Sequence, residues 1–401
     1  MDWRSSGRAV GLAALLIAAC GAARAQGPAM ADIRIGYLGI AEERAAAEPW
    51  LDPPPVDEGA AGARLGVADD NTTGQFTGQH FALDAETAPN AAGLAAAFGR
   101  LAASGDRLVI ADLPAPLLLG LAALPAARDA TLFNARAEDD SLRGAECRAN
   151  LLHTAPSRQM LADALVEYLL VKQWRSIFLV VGPTPADRAY AAAVKHAIVK
   201  FHARLAAEKP WTYQPGARRS DSGHYAMTAE VANFTQGVSY DVLLVADTDD
   251  EFGDYLAYAT FDPRPIVGTH GLVASAWARP HQEWGATQLQ DRFRRLAHRW
   301  MTDRDYAAWL GARAVGEAAT RTRSADYAAI AGYIRSDKFQ FAGYKGLALS
   351  FRPWDGQLRQ AILLADADAL VSVSPQQGFL HQFSTLDTLG VDRPETTCHL
   401  P

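Results

Sequence analysis

The strongest constraint on the fold is a strand-then-helix alternation that runs through the chain twice. The first series opens with the β-rich run Ile33 to Leu38. After the Pro53-Pro54-Pro55 loop it continues into an Ala-rich helix over Glu58 to Asp69. A short strand over Phe81 to Leu83 follows, then a helix whose Leu94, Phe98 and Leu101 recur at helical spacing. Leu108 to Ala111 forms the next strand, and Pro114 opens another helix. The second series begins at Ser157, ahead of a helix carrying Leu161, Leu165, Tyr168 and Leu169 on one face. Ile177 to Val181 is an unbroken apolar strand of the kind buried in parallel sheets, and Tyr190, Val194, Ala197 and Phe201 stripe the helix after it. Val242 to Val245 and Pro265 to Val267 add two strands. Two such series in tandem predict an α/β chain of two doubly wound parallel-sheet lobes joined by a hinge, and 401 residues suffice for both cores.

Gln288 to Ser336 reads as helical, with Leu289, Phe293, Leu296 and Trp300 on one side and Tyr306, Leu310 and Val315 on the next. Near the end, Leu347 to Phe351 and Ile362 to Leu364 flank Trp354-Asp355-Gly356-Gln357, whose Asp-Gly is a hairpin signal. The expected division is a first lobe of 32–153 plus about 272–345, a second of 154–271 plus about 346–385, and a C-terminal tail of 386–401.

Arg4 and Arg8, the apolar run Ala9 to Cys20 and then Ala23-Arg24-Ala25 have the form of an export signal over residues 1–25, cleaved near Ala25. Ile17-Ala18-Ala19-Cys20 also resembles a lipobox, which would instead anchor the chain through Cys20. The run is too short to span a bilayer, so the mature chain is expected to be water-soluble and periplasmic. Removing Arg4, Arg8, Arg24 and Asp2 leaves 35 basic against 44 acidic residues, from 38 and 45 in the whole chain. That balance, without any basic block, argues against nucleic acid as a partner. Only Cys147 and Cys398 survive processing, and in an exported chain they are expected to form one disulfide.

The chain carries no H-E-x-x-H, G-x-S-x-G, Walker lysine loop or G-x-G-x-x-G, so motif-bearing enzyme chemistry lacks support and no cofactor is implied. His196 and His202 are not at the spacing of a helical zinc pair.

Several segments resemble the type I periplasmic binding proteins, the branched-chain amino acid receptor family, whose archetypes bind leucine, isoleucine and valine for ABC importers. They are Ile33-Arg34-Ile35-Gly36-Tyr37-Leu38-Gly39, Gly59-Ala60-Ala61-Gly62-Ala63, Thr154-Ala155-Pro156-Ser157, and the closing Leu349-Ser350-Phe351 with Asp355-Gly356. The resemblance spans essentially the whole mature chain. It implies a non-enzymatic receptor that carries a small-molecule ligand to an ABC permease in the inner membrane. Leu51-Asp52-Pro53-Pro54-Pro55, Asp69-Asp70-Asn71-Thr72-Thr73-Gly74 and Met301-Thr302-Asp303-Arg304-Asp305-Tyr306-Ala307-Ala308-Trp309-Leu310 look like the branch found beside PQQ-dependent alcohol dehydrogenases. That likeness implies a quinoprotein dehydrogenase as a further partner and, since some of those enzymes use a lanthanide, a metal-related cargo.

Ligands of doubly wound sheets sit beyond the carboxyl ends of the strands. That rule selects Asp112, Leu113, Asn134 and Arg136 in lobe one, and Pro183, Thr184, Tyr190, Asp247, Thr248 and His270 in lobe two. The family's carboxylate-holding loop here reads Ala111-Asp112-Leu113-Pro114-Ala115-Pro116; its prolines remove N–H donors and Asp112 would repel a carboxylate. A cation, a polyol or an aromatic alcohol derivative is easier to reconcile with it. Trp50 and Trp277 are candidates for an aromatic wall. Asp247, Asp249, Asp250 and Glu251 form the densest acidic stretch, either charge at a helix N-terminus or ligands for a hard cation; the EF-hand pattern does not fit, since Gly253 stands seventh and no Glu stands twelfth. Three functions remain: an importer's binding subunit, a periplasmic accessory protein of the dehydrogenase, or a cryptic enzyme with Asp112 as its acid-base group.

Overall fold

Every residue of Leu108–Asp112 is buried, as an apolar run without a polar face demands. In the computed structural model, which describes residues 31–41, 55–211 and 229–400, this strand, β3, is the middle of a five-stranded parallel sheet. Its companions are β1 (Ala31–Ile40), β2 (Gln79–Ala88), β4 (Thr131–Asn134) and β5 (Leu151–His153), in the order β2-β1-β3-β4-β5. Helices α2 (Ala91–Ala103) and α3 (Ala115–Ala122) cover one face, while α1 (Ala60–Thr77) and three later helices cover the other. The chain then crosses to a seven-stranded sheet through α4 (Arg158–Val171), β6 (Ser176–Val181), α5 (Pro185–Lys200) and β7 (Arg204–Pro210). A helix over 229–235, α6, precedes β8 (Val242–Ala246), the short α7 (Gly253–Leu256), β9 (Ile266–Gly268) and β10 (Leu272–Ser275). It returns to the first lobe for α8 (Ala286–Ala297), α9 (Asp303–Thr322) and α10 (Tyr327–Ile334), and for a three-stranded sheet of β11 (Phe341–Ala342), β12 (Ala348–Phe351) and β13 (Leu358–Arg359). It ends in the second with β14 (Ile362–Ala365) and β15 (Leu370–Ser374), giving the order β15-β14-β10-β9-β8-β6-β7. The expected α/β fold of two doubly wound lobes is present.

Local departures have tertiary causes. The first helix runs to Thr77 through Asn71, Thr72 and Thr73, which are poor helix formers. Asn71 is held there because its amide donates to the Phe81 carbonyl and its oxygen accepts from the Phe81 N–H, both at 2.8 Å. The strand expected at Phe81 to Leu83 is ten residues long because β1 pairs along all of it. The hairpin turn at Asp355-Gly356 joins β12 to β13, whereas Ile362–Ala365 crosses into the larger sheet. Residues of β12 and β13 pack in the first lobe's core, and β10 pairs with β9 and β14 in the larger sheet.

The last segment is packed: Leu389 is buried in the second core, and Lys200 donates to the carbonyls of Thr388 and Gly390 at 2.8 Å. The Cys147–Cys398 disulfide pins its end across 251 positions of sequence. Because those non-covalent contacts hold the segment as well, Cys398→Ser is expected to cost about 2 to 3 kcal/mol, below what the long loop alone would give. Urea unfolding under oxidising and reducing conditions checks this; a midpoint unmoved by reduction would mean that the bridge contributes nothing. Residues 1–30, with the export signal and Cys20, lie outside the described residues, as do Trp50 and Leu51 to Pro54. Among the described residues no helix is long and apolar enough to cross a membrane.

Candidate functional site

The carboxyl ends of both sheets converge where the chain crosses between lobes three times, at His153-Thr154-Ala155, Ala276-Trp277 and Arg359-Gln360-Ala361. Buried polar side chains stitch these crossings together. Arg143 donates to the Gln357 side chain and the carbonyls of Ala137 and Ala155 at 2.8 to 2.9 Å. Gln357 donates to the carbonyls of His153 and Ala155, and Gln360 donates to Thr154. Lys345, only 1% exposed, donates to the Ala276 carbonyl at 2.9 Å and the Gln360 side chain at 2.8 Å.

In lobe one, Asp112 is the last residue of β3, at the carboxyl end where it was expected, but its carboxylate is buried and already paired. Tyr37 donates to it at 2.8 Å, and Arg304 reaches both oxygens at 3.0 and 3.1 Å. The charge expected to repel a carboxylate thus shares one guanidinium with Glu58, which Arg304 also reaches at 2.9 Å. Leu113 is core. Asn134 caps the turn after β4: its oxygen accepts from the amides of Arg136 and Ala137, and its amide donates to the Ala137 carbonyl. Arg136 is half-buried beside it. The turn carries Glu138, which strand-end reasoning stopped short of. Burial raises its carboxyl to about 7, against the opposing pull of Arg158 and with Asp303 adding to the rise.

In lobe two, Thr184 caps α5 through a capping box with Asp187, a Thr-x-x-Asp signature legible in the sequence. Asp187 also accepts from the Thr248 amide and hydroxyl at 2.7 and 2.8 Å, fixing the loop after β8. Burial works against its charge, yet the Thr248 and Thr184 donors hold its carboxyl below the usual range. Tyr190, on the second turn of α5, is buried, and that burial together with the charge of Glu138 raises its hydroxyl. The charge of Glu138 in one lobe is therefore felt by Tyr190, which packs in the core of the other. The loop 138–140 is itself joined to α4: Arg158 donates to the Glu138 carbonyl at 2.9 Å and pairs with Asp139 at 3.1 Å.

The acidic stretch after β8 divides. Asp247, Asp250 and His270 each bring a ligand-type atom within 4.8 Å of the others, whereas Asp249 and Glu251 stand outside this group. Asp247 is engaged, since its oxygens accept the N–H groups of Glu251, Phe252 and Gly253 at 2.7 to 3.0 Å. His270 joins Asp250 at 2.7 Å and the Thr269 hydroxyl at 3.0 Å. A site with one imidazole and a fully used carboxylate suits a hard oxygen-seeking cation poorly. Trp277 is buried and stacked on Tyr306, so it serves the core rather than an aromatic wall.

No protein-family model and no curated protein sequence matches the chain. Solved structures do. A branched-chain amino acid ABC transporter periplasmic ligand-binding protein from Burkholderia xenovorans superposes with a TM-score of 0.65 at 12% identity, covering 85% of this chain and 95% of that one. An amino acid ABC transporter substrate-binding protein from Pseudomonas fluorescens gives 0.64 at 13%, covering 92% and 100%. A branched-chain amino acid transporter substrate-binding protein from Streptococcus pneumoniae, in complex with isoleucine, gives 0.60 at 14%, covering 85% and 98%. The fold is that of the type I periplasmic binding proteins.

Proposed function

We propose that this chain is the periplasmic solute-binding component of an ABC importer, holding a small ligand between its lobes and presenting it to a permease in the inner membrane. The supporting observation is that the strand-end loops of both lobes, with Glu138 after β4 on one side and the Thr184 and Thr248 loops on the other, stand at the carboxyl ends of two doubly wound sheets joined by three short crossings, and that the charge of Glu138 is felt by Tyr190 of the other lobe. The site residues proposed from strand ends then divide by role. Asp112, Asn134, Thr184 and Asp247 shape the loops, Tyr190 packs in the core of the second lobe, and Glu138 offers the contact. A carboxyl poised near neutrality suits an ammonium group, as in an amino acid or a primary amine, and the pairing of Asp112 with Arg304, which also holds Glu58, lessens the objection to a carboxylate on the same ligand.

Melting of the protein against amino acids, amines, alcohols, aldehydes, aromatic acids, PQQ, calcium and lanthanum tests this, because a ligand of the folded state alone raises the transition. The expected result is a shift with amino acids or amines. Glu138 is charged above about pH 7, so affinity for a cationic ligand should rise between pH 6 and 8. Glu138→Gln should abolish that rise and weaken binding about tenfold at pH 8. An unchanged pH profile in the variant would remove Glu138 from the site.

A finer reading ties the importer to PQQ-dependent alcohol oxidation. Its support is the motif resemblance at Asp69 to Gly74 and Met301 to Leu310. A melting shift with an alcohol, an aldehyde or PQQ in place of amines would favour it. The alternative of a non-transport accessory or calcium- or lanthanide-related protein draws on the Asp247, Asp250 and His270 group; a lanthanum shift abolished by Asp250→Asn would favour that instead.

A further inference from the structure

At the pole of lobe one opposite the hinge, beside the amino ends of β4 and β5, three guanidinium groups line one cavity of about 360 Å³. They belong to Arg128, Arg148 and Arg335, with Asn150 and Tyr327 completing the wall. A fourth, Arg107, lies over the Tyr327 ring at 3.8 Å. The wall is built rather than incidental. Arg335 is fixed by donating to the Ala149 carbonyl at 2.9 Å, and Asn150 by donating to the carbonyls of Ala122 and Ala127. Arg148 donates to the carbonyls of Glu146 and Cys147, directly beside the disulfide that clamps this loop. Arg107 spends its Nε on the Asp129 carbonyl at 2.7 Å.

Among the described residues Arg107, Arg148 and Arg335 donate to carbonyls alone, and none of the four groups forms an ion pair with a carboxylate. Burial pushes the Arg335 guanidinium down, with Tyr327 rather than a carboxylate acting the other way. In a chain of net charge −7, such a group of like charges is anomalous. Their mutual repulsion calls for an anion that can accept several N–H groups at once. We propose that this cavity binds a phosphate-type oxyanion, separately from the ligand cleft. Guanidinium forks match tetrahedral oxyanions in bidentate fashion, and the volume leaves room for an organic group attached to the phosphate.

The whole mature protein would be titrated calorimetrically with inorganic phosphate at low ionic strength and, separately, sedimented with phosphatidylglycerol vesicles. The expected dissociation constant for phosphate is about 1 mM or tighter, and Arg128→Gln with Arg148→Gln should weaken it at least about tenfold. Both side chains are exposed, so the double variant should melt as the parent does; if it does not, Arg128→Gln alone is the readout. Phosphate heat without sedimentation identifies a soluble phosphate, and variant-sensitive sedimentation without heat identifies a lipid headgroup. Neither signal, or signals indifferent to the substitutions, overturns the proposal.

Discussion

Asp305→Ala is expected to lower the unfolding free energy by about 3 to 5 kcal/mol, because it strands several buried donors at once. Asp305 is fully buried at the start of α9. It accepts from the Gly59 amide at 2.8 Å, from both terminal nitrogens of Arg299, and from the amide and hydroxyl of Thr302 at 3.0 and 2.9 Å. One carboxylate therefore caps its own helix and fastens the entry of α1 to it. The helices touch there: a Cβ at Gly62 would overlap the Asp305 carbonyl. After truncation the Gly59 amide and the Thr302 hydroxyl lose their acceptor, while Arg299 keeps Asp57 and the Trp300 carbonyl. Asp305→Asn retains the size and one acceptor, so it should cost less, about 1 to 2 kcal/mol. Urea unfolding followed by circular dichroism measures both; a loss below about 1 kcal/mol for the alanine variant would show that α1 and α9 are held by apolar packing alone.

This network also explains which parts of the molecule were legible in the sequence. Strand and helix alternation encodes burial locally, so the two lobes could be read from the periodicity of Leu, Val and Ile. The motifs that resemble the dehydrogenase-associated branch were visible too, but their work was not. Asp69 receives Arg292 and the Trp309 indole, Asp70 pairs with Arg313, and Asn71 holds Phe81, so the Asp69 to Gly74 motif fastens α1 within lobe one. Arg304 meets Asp112 across 192 positions of sequence, a pairing that no local pattern announces. For the same reason Asp112 could be placed at a strand end but not recognised as neutralised. Asp187 was missed although the Thr-x-x-Asp box at Thr184 signals it, and Glu138 lies four residues past the end of β4, two beyond Arg136. Arg143 and Lys345 had no signal, since their acceptors are carbonyls on crossings brought together only by the fold.

Lys345 gives the second large effect, one that appears as a pH dependence. Stability of the parent protein should rise by about 2 to 3 kcal/mol between pH 7.5 and 9.5, and Lys345→Met should flatten that rise. Burial lowers the Lys345 ammonium from 10.5 to about 7, with the charge of Asp303 acting the other way. The unfolded chain thus holds a proton between about pH 7 and 10.5 that the folded chain has released, and stability climbs with pH throughout that window, by up to about 1.4 kcal/mol per unit. Below pH 7 both states are protonated and the cost is constant. The raised carboxyls act elsewhere: Asp303, at about 6, and Glu138 and Glu167, at about 7, lose stability as pH rises toward those values and are flat above them. The slope above pH 7.5 therefore isolates the lysine. The same Nζ bonds Ala276 on one crossing and Gln360 on another, and Gln360 bonds Thr154 on the third, so proton release occurs at the point on which any closure of the lobes must turn. Methionine conserves the bulk without the charge, and a buried charge replaced in that way need not destabilise. A variant that kept the parent's slope would place the released proton elsewhere and leave Lys345 as a plain hydrogen-bond donor of the hinge.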